Sequence, residues 1–447
     1  MLGRILNTGI VKRNTSCKDR RDIKDQVMAI VKPFCAIRPV EKCASEVAAL
    51  PYDVYSREEA RRIVAGHPLS FLNIDRPETQ FPEDFDMYSK EVYEKASSML
   101  EQEKAGGIFT KESIPCFYIY ELTMDGRTQT GICALSSVDD YLNNICKKHE
   151  NTVAEKELDR INHVDICSAQ TGPIFLAYRN NDCIDEIVEE VKKGTPLYDF
   201  VSDDGIRHRV FRISDANTVT AIETAFKSVT NTYIADGHHR AASAVKVALK
   251  RRQEHPDYNG SEEFNYFLSV LFPESELKIL PYNRVVHDLN GMTVEDFFYA
   301  LELDFNVEKS DTAFQPQEKG DIGMYLSKSW YRLKVKDSVR EEVGNDPVRS
   351  LDVAILHDKV LFPILAIEDP RTDHRINFVG GIRGLKELET EVDRYDEKDG
   401  PAVAFSMFPT SISELIAVAD AGRLMPPKST WFEPKLRSGL FIHEIEG

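Results

Sequence analysis

The spacing of hydrophobic residues changes several times along the chain, and each spacing predicts a type of element. Between Asp84 and Lys104, apolar residues recur every three or four positions, which predicts a long amphipathic helix. From residue 116 to 136 the spacing falls to two, and Asp125-Gly126 interrupts it, which predicts a β-hairpin. Further strands are predicted at 28–39, 174–178, 197–201, 207–213, 230–235, 267–271, 324–326, 331–335 and 403–407. Further helices are predicted at 185–193, 219–226, 241–250 and 387–395.

Capping boxes mark the start of two more helices. Ser56-Arg57-Glu58-Glu59 predicts a helix that ends at Gly66, and Ser411-Ile412-Ser413-Glu414 predicts one that ends at Gly422. The interleaving of strands and helices predicts an α/β or α+β fold. A chain of 447 residues corresponds to about three domains. We expect a tail at 1–27, an N-terminal region at 28–110, a central core at 111–280 and a C-terminal domain at 281–447.

Charge and composition narrow the function classes. The chain holds 56 Lys and Arg against 74 Asp and Glu, a net charge of -18, and we find no local basic patch. Nucleic acid and anionic membrane surfaces are therefore not expected as partners. No apolar run reaches the roughly 18 residues of a membrane span, so a cytoplasmic protein is expected. The basic segment before Asp19 is typical of an organelle transit peptide and equally of a flexible, solvated tail.

Cysteine use predicts neither disulfides nor a zinc cluster. The eight cysteines contain no CxxC pair, and several lie inside apolar stretches, as in Ile132-Cys133-Ala134. Such cysteines behave as small buried hydrophobic residues.

The segment Tyr233–Arg240 is the densest group of candidate functional residues. A β-branched strand is followed by Asp236, Gly237, His238, His239 and Arg240, and then by an Ala-rich helix. The first N–H groups of a helix are unpaired, so such a turn favours an anion, and an arginine fork matches phosphate oxygens. A simple helix start with an Asp N-cap is the alternative. A metal site made of the two adjacent histidines is disfavoured, because neighbouring helical residues point about 100° apart.

Two other segments carry candidate chemistry. His149-Glu150 could supply a general base or a metal ligand, and a solvated polar loop is the alternative. Near the C-terminus, Pro409-Thr410 and the loop of Lys428, Ser429 and Thr430 present anion-binding donors. A packed Pro-rich connector anchored by Trp431 and Phe432 is equally compatible with that loop. No Walker-type, GxGxxG, HExxH or GxSxG motif is present.

These segments resemble an uncharacterised-domain family once described as Spo-zero-J regulators. The resemblance rests on motifs in the same order along most of the chain: Pro33-Phe34, Ile37-Arg38-Pro39, Pro51-Tyr52-Asp53-Val54, Ser70-Phe71-Leu72, His149-Glu150, Asp159-Arg160, Tyr233–Arg240, Leu280-Pro281, Pro409-Thr410 and Met425–Leu436. That family in turn resembles free serine kinases built on the ParB/sulfiredoxin-like fold, which share the His-Glu, Asp-Gly-His-His-Arg and C-terminal Pro-Thr and Pro-Lys-Ser-Thr elements.

The resemblance implies a free L-serine kinase that makes O-phospho-L-serine for cysteine synthesis, with Mg²⁺ and ATP or ADP. By position, Glu150 matches the catalytic base and Asp236 an essential acid near the metal. Gly237, His238, His239 and Arg240 match the phosphate cradle. The substrate-side residues would be His149, Thr410, Lys428, Ser429 and Thr430. The resemblance implies a ParB/sulfiredoxin-like catalytic core with a mixed sheet at 111–280, with N-terminal and C-terminal extensions around it.

Two other functions are alternatives to the serine kinase. One is a nucleotide-binding regulatory protein of ParB-like ancestry without kinase activity, and the net charge argues against a version that binds DNA. The other is sulfiredoxin-like reduction, which needs a cysteine in the phosphate-binding turn. His238 stands at that position, so the sulfiredoxin reaction is excluded.

Overall fold

The computed structural model describes residues 28–446, so the tail predicted at 1–27 lies outside the described residues. Its strands are β1 (Val31–Lys32), β2 (Ile37–Pro39), β3 (Phe109–Lys111), β4 (Phe117–Met124), β5 (Arg127–Ser137), β6 (Cys146–Lys147), β7 (Ala169–Gln170), β8 (Ile174–Tyr178), β9 (Tyr198–Val201), β10 (Arg207–Ile213), β11 (Thr232–Asp236), β12 (Tyr266–Pro273), β13 (Ile279–Leu280), β14 (Tyr282–Val286), β15 (Phe305–Ser310), β16 (Asp321–Leu326), β17 (Ser329–Val335), β18 (Ile376–Gly380), β19 (Val403–Ser406), β20 (Trp431–Phe432) and β21 (His443–Glu444).

The helices alternate with these strands. They are α1 (Ala44–Val47), α2 (Arg57–Gly66), α3 (Leu72–Asp75), α4 (Lys90–Ala105), α5 (Val138–Leu142), α6 (Ala154–Cys167), α7 (Asp182–Val191), α8 (Ala216–Phe226), α9 (His238–Glu254), α10 (Val294–Leu301), α11 (Asp337–Val343), α12 (Asp352–Leu356), α13 (Gly384–Asp399) and α14 (Ile412–Asp420). The predicted fold class, a mixed α/β fold with a large mixed sheet, is confirmed.

A nine-stranded sheet forms the centre of the protein, in the order β6-β11-β8-β12-β5-β4-β10-β9, with β1 pairing to β5. The pairs β6/β11 and β8/β12 are parallel and the others antiparallel. Side chains alternate across the sheet: Phe117 and Ile119 of β4 join one core, and Tyr118 and Tyr120 join the other. Both faces are therefore covered, as the nearly continuous apolar runs of β4, β8 and β12 require.

Helices α7, α8 and α9 cover one face of this sheet. In α9 the residues Ala241, Ala244, Val245 and Ala248 recur at helical spacing and are all buried against the sheet. Their small side chains allow a close approach of α9 to the strands. The helix that begins at the candidate turn is thus fixed by packing along its length.

A second, six-stranded antiparallel sheet lies in the C-terminal part, in the order β15-β17-β16-β19-β14-β18. Its inner face shares one continuous core with the central sheet. The C-terminal segment then packs against earlier parts of the chain. β20 pairs with β13, β21 pairs with β7, and the backbones of Ala49 and Ser438 pair with each other. The C-terminal segment therefore contacts both the predicted N-terminal region and the predicted core, and the division into domains stays a prediction.

Most predicted elements are present with shifted ends. Both capping boxes form, at Ser56 and Ser411, and the hairpin turns at Asp125-Gly126, where both residues have positive φ. The long helix begins at Lys90 rather than Asp84, because Ser89 is its N-cap and the preceding residues form turns. The strand predicted at 28–39 is broken into β1 and β2.

The described residues bear on two expectations, one about membrane-spanning helices and one about the cysteines. No helix within 28–446 combines the length and the apolar character needed to cross a membrane. Cys43, Cys116, Cys133 and Cys146 are buried and free, as expected for small hydrophobic residues.

Candidate functional site

The two central motifs meet because β6 and β11 run parallel. Cys146 pairs with Thr232 and Lys147 with Tyr233, so His149-Glu150 and Asp236-Gly237 leave neighbouring strands at the same edge of the sheet. Carboxyl ends of parallel strands are where α/β proteins commonly bind ligands. The two-residue strand β6 was not predicted, so only the fold reveals this pairing.

Gly237 shapes the turn between β11 and α9. Its φ of 91° lies in the left-handed region, where a residue with a Cβ pays about 1–2 kcal/mol. The Gly237 N–H donates to Oδ1 of Asp236 at 2.9 Å. The turn therefore holds the Asp236 carboxylate at the N-terminus of α9.

The C-terminal loop closes over the His-Glu motif. The backbone N–H of Met425 donates to the His149 carbonyl at 2.8 Å, and Thr430 Oγ1 lies 3.5 Å from His149 Nε2. Thr410 and Ser429 are buried, and their hydroxyls donate to the Ser429 and Pro426 carbonyls, respectively. These two hydroxyls shape the loop and do not line the cavity described below, so their predicted substrate contacts remain predictions without geometric support.

Lys435, from the same loop, pairs with the turn. Its Nζ donates to Oδ2 of Asp236 at 2.7 Å. Partial burial acts to raise the pKa of Asp236, but the Lys435 charge and hydrogen bond outweigh it and lower that pKa to about 2. Asp236 is therefore ionised at neutral pH. The reciprocal attraction keeps the pKa of Lys435 above its ordinary value despite burial.

The pKa of Glu150 is shifted in the opposite direction to that of Asp236. Burial raises the pKa of its carboxyl above the ordinary value, although the nearby Lys428 charge opposes this. Two carboxyls of one site thus have pKa values displaced in opposite directions, an arrangement typical of a site with distinct acid and base roles. Lys428 itself keeps a raised pKa next to Tyr282 and Glu150, and its Nζ lies 5.5 Å from the Tyr282 ring centroid.

The buried histidines are neutral. Burial lowers the pKa of His149 to about 4 and that of His238 well below its ordinary value. Their rings are perpendicular, with centroids 4.5 Å apart. Burial also lowers the pKa of His239, whose Nε2 accepts the Val153 N–H at 2.9 Å.

Arg240 is held from the side away from the turn. It donates to the Pro173 carbonyl at 3.3 Å and to Ser438 Oγ at 3.2 Å, and its NH2 lies 4.0 Å from Asp75 Oδ2. A Cβ at Gly172 would lie 2.9 Å from the guanidinium, so only glycine permits this approach. The N-terminal and C-terminal extensions therefore position the arginine of the central motif.

These residues surround a cavity of about 450 Å³ that adjoins a smaller one of about 100 Å³. Asp53, Glu150, Asp236, His238 and Lys428 line both. The larger cavity adds Tyr282, Thr430, Trp431 and Lys435, and the smaller one adds Lys156, Gly237, His239 and Arg240. The size lies within the range of small-molecule sites.

The donor set fits a magnesium ion. Mg²⁺ is usually held by one or two carboxylates together with substrate phosphates. Asp53, Glu150 and Asp236 present carboxylates to the cavity. The oxygens of Asp236 already accept from Lys435 and Gly237, but a carboxylate has lone pairs for further partners.

Comparison with known proteins places the chain in a family. Residues 31–354 match the family described as "Protein of unknown function (DUF1015)". The chain belongs to this family. No curated protein matches the DUF1015 chain.

Several solved structures are similar to this DUF1015 protein. SbnI from Staphylococcus aureus, with a C-terminal truncation, is 12% identical, with a TM-score of 0.35, over 68% of this chain and 85% of its own. A conserved hypothetical protein from Pyrococcus furiosus is 16% identical, with a TM-score of 0.32, over 70% and 94%. A free serine kinase in complex with AMP is 13% identical, with a TM-score of 0.30, over 69% and 91%. Likeness at this level assigns no activity.

Several residues that line the cavity were not among the predicted site residues of this DUF1015 protein, and Asp53, Lys435 and Tyr282 are three of them that carry polar groups next to the motifs. Asp53 belongs to the Pro51–Val54 motif, Lys435 ends the Pro-rich loop, and Tyr282 begins β14. The first two lie in motifs noted in the sequence, which is the signal that could have identified them. Tyr282 carried no such signal.

Proposed function

We propose that this DUF1015 protein transfers a phosphoryl group from a nucleotide to the hydroxyl of a small amino acid, with free L-serine as the acceptor. The observation that carries the proposal is the convergence of Glu150, Asp236 and Lys428 on one cavity from segments far apart in sequence. Phosphoryl transfer asks a protein mainly for positioning and electrostatic stabilisation, which such a cavity provides.

Glu150 is the base in this proposal. Its raised pKa makes it a better proton acceptor than an ordinary glutamate at neutral pH. It takes the proton of the acceptor hydroxyl as the acceptor oxygen bonds to the terminal phosphorus. The bond from that phosphorus to the bridging oxygen breaks, and the shortened nucleotide leaves with the electron pair.

Cations and N–H groups around the turn bind the phosphates. Lys428 and Lys435 offer ammonium groups, and the start of α9 offers backbone N–H groups. Asp53 and Asp236 would hold Mg²⁺, which would supply charge neutralisation at the phosphates. Asp236 stays ionised and holds Lys435 in place through their ion pair.

The test is product identification with the purified full chain. L-serine, Mg²⁺ and either ATP or ADP are expected to yield phosphoserine, detected by mass spectrometry. Glu150→Gln should lower kcat at least about 100-fold, in line with general-base contributions. Glu155→Gln is the matched control, because Glu155 is exposed on α6 outside the cavity, and it should retain activity.

Two results contradict the proposal. Absence of phosphoserine with every nucleotide donor would reject it, and full activity of Glu150→Gln would reject the assigned base. Nucleotide binding without turnover would favour the regulatory function named above.

A further inference from the structure

Three potential metal ligands lie together at the edge of the central sheet. A ring nitrogen of His149, a ring nitrogen of His238 and a carboxylate oxygen of Glu150 all lie within 4.8 Å of one another. The two histidines come from separate segments, the one after β6 and the one that begins α9. The objection to adjacent helical histidines therefore does not apply to this pair.

A ring nitrogen of His238 has unmet hydrogen-bonding capacity. His238 is 7% exposed, and its Nε2 has no hydrogen-bond partner; His149 is 1% exposed, and its ring lies beside that of His238. A buried polar atom without a partner costs about 1–3 kcal/mol. The unpartnered Nε2 of His238, next to a second imidazole and a carboxylate, is explained if the site accepts an ion.

We propose that His149, Glu150 and His238 form a binding site for a divalent transition-metal ion of the zinc type. Two imidazoles and one carboxylate are a ligand set found in zinc sites that keep one position open. Imidazole ligands favour such ions over Mg²⁺, which prefers oxygen. Glu150 and His238 both line the cavity, so an ion that they hold would be accessible from it.

The geometry requires only small movements. Ligand bonds of about 2.1 Å in a tetrahedral site place ligand atoms about 3.4 Å apart. The three ligand atoms now lie at most 4.8 Å apart, so each pair would have to approach by about 1.4 Å at most through side-chain rotation.

This inference is independent of the proposed function. An ion here engages the carboxylate that the proposed phosphoryl transfer uses as its base, so zinc is expected to inhibit that reaction. The binding itself requires neither nucleotide nor serine. Direct metal binding therefore separates a failure of this site from a failure of the proposed kinase activity.

The test titrates Co²⁺ and Zn²⁺ into the metal-free full chain. Co²⁺ should give the visible absorption of a tetrahedral site at one equivalent, and Zn²⁺ should displace it. His238→Asn and Glu150→Gln should each weaken Zn²⁺ binding at least about tenfold by calorimetry. His255→Asn is the control, because His255 is exposed at the end of α9, and it should bind like the wild type.

Circular dichroism spectra would establish that each variant is folded. Glu150→Gln preserves side-chain volume and keeps the test decisive if the buried histidine variant unfolds. Absence of a one-equivalent complex in the wild type would overturn the proposal. Equal Zn²⁺ affinity in the wild type and Glu150→Gln would also overturn it.

Discussion

Replacing Lys435 with methionine should destabilise the protein in a pH-dependent way. The Lys435 side chain is 13% exposed, and it pairs with Asp236, whose side chain is 41% exposed, at 2.7 Å. The substitution keeps most of the apolar stem and removes the charge. Without that charge and hydrogen bond, burial of Asp236 is offset mainly by the weaker influence of Arg240, and the pKa of Asp236 rises.

The magnitude follows from the pKa of Asp236. A folded-state value of about 2 against 3.8 for the ordinary group corresponds to about 2.5 kcal/mol of stability. Solvent screening of a carboxylate this exposed reduces the expected coupling to about 1 kcal/mol. Because the folded-state pKa is the lower one, this stability is present above about pH 4. About half is lost by pH 3, and the rest as the pH falls through 2.

A double-mutant cycle measures the coupling. Urea unfolding followed by circular dichroism would compare the wild type, Lys435→Met, Asp236→Asn and the double variant at pH 7 and pH 3. The exposed pair Lys90–Glu94 on α4 provides the control cycle, with a smaller coupling expected. A coupling at pH 7 no larger than that of the control, or one unchanged at pH 3, would refute the reasoning.

Two other substitutions test the local structure around the site. Gly237→Ala should lower the free energy of unfolding by about 1–2 kcal/mol, because φ is 91° while the added Cβ would meet its nearest atom at 3.6 Å; no loss in urea unfolding would show that backbone strain is absent. Ser411→Ala should cost about 1 kcal/mol, since the Ser411 side chain accepts the Glu414 N–H at the start of α14. Ser338→Ala is its control, because Ser338 is exposed on α11 and lies away from this cap, and an equal loss in both variants would contradict the capping argument.

Local patterns along the chain were sufficient for most elements and for the central motif. The capping boxes at Ser56 and Ser411 and the turn at Asp125-Gly126 depend on contacts within four residues, so they can be read directly. The same holds for Asp236-Gly237, where a strand, a turn and a helix follow one another. The start of α4 was misplaced, because apolar spacing continued through turns that precede its cap.

Tertiary structure decided which of these segments form one site. The parallel pairing of β6 with β11 brings Glu150 to Asp236, and the returning C-terminal chain brings Lys435 to the same turn. Strand pairing and chain return depend on contacts between residues 80 to 200 positions apart, which no local periodicity encodes. The sequence by itself determined the chemical groups and their local conformation. The fold determined their neighbours, their burial and therefore the opposite pKa shifts of Glu150 and Asp236.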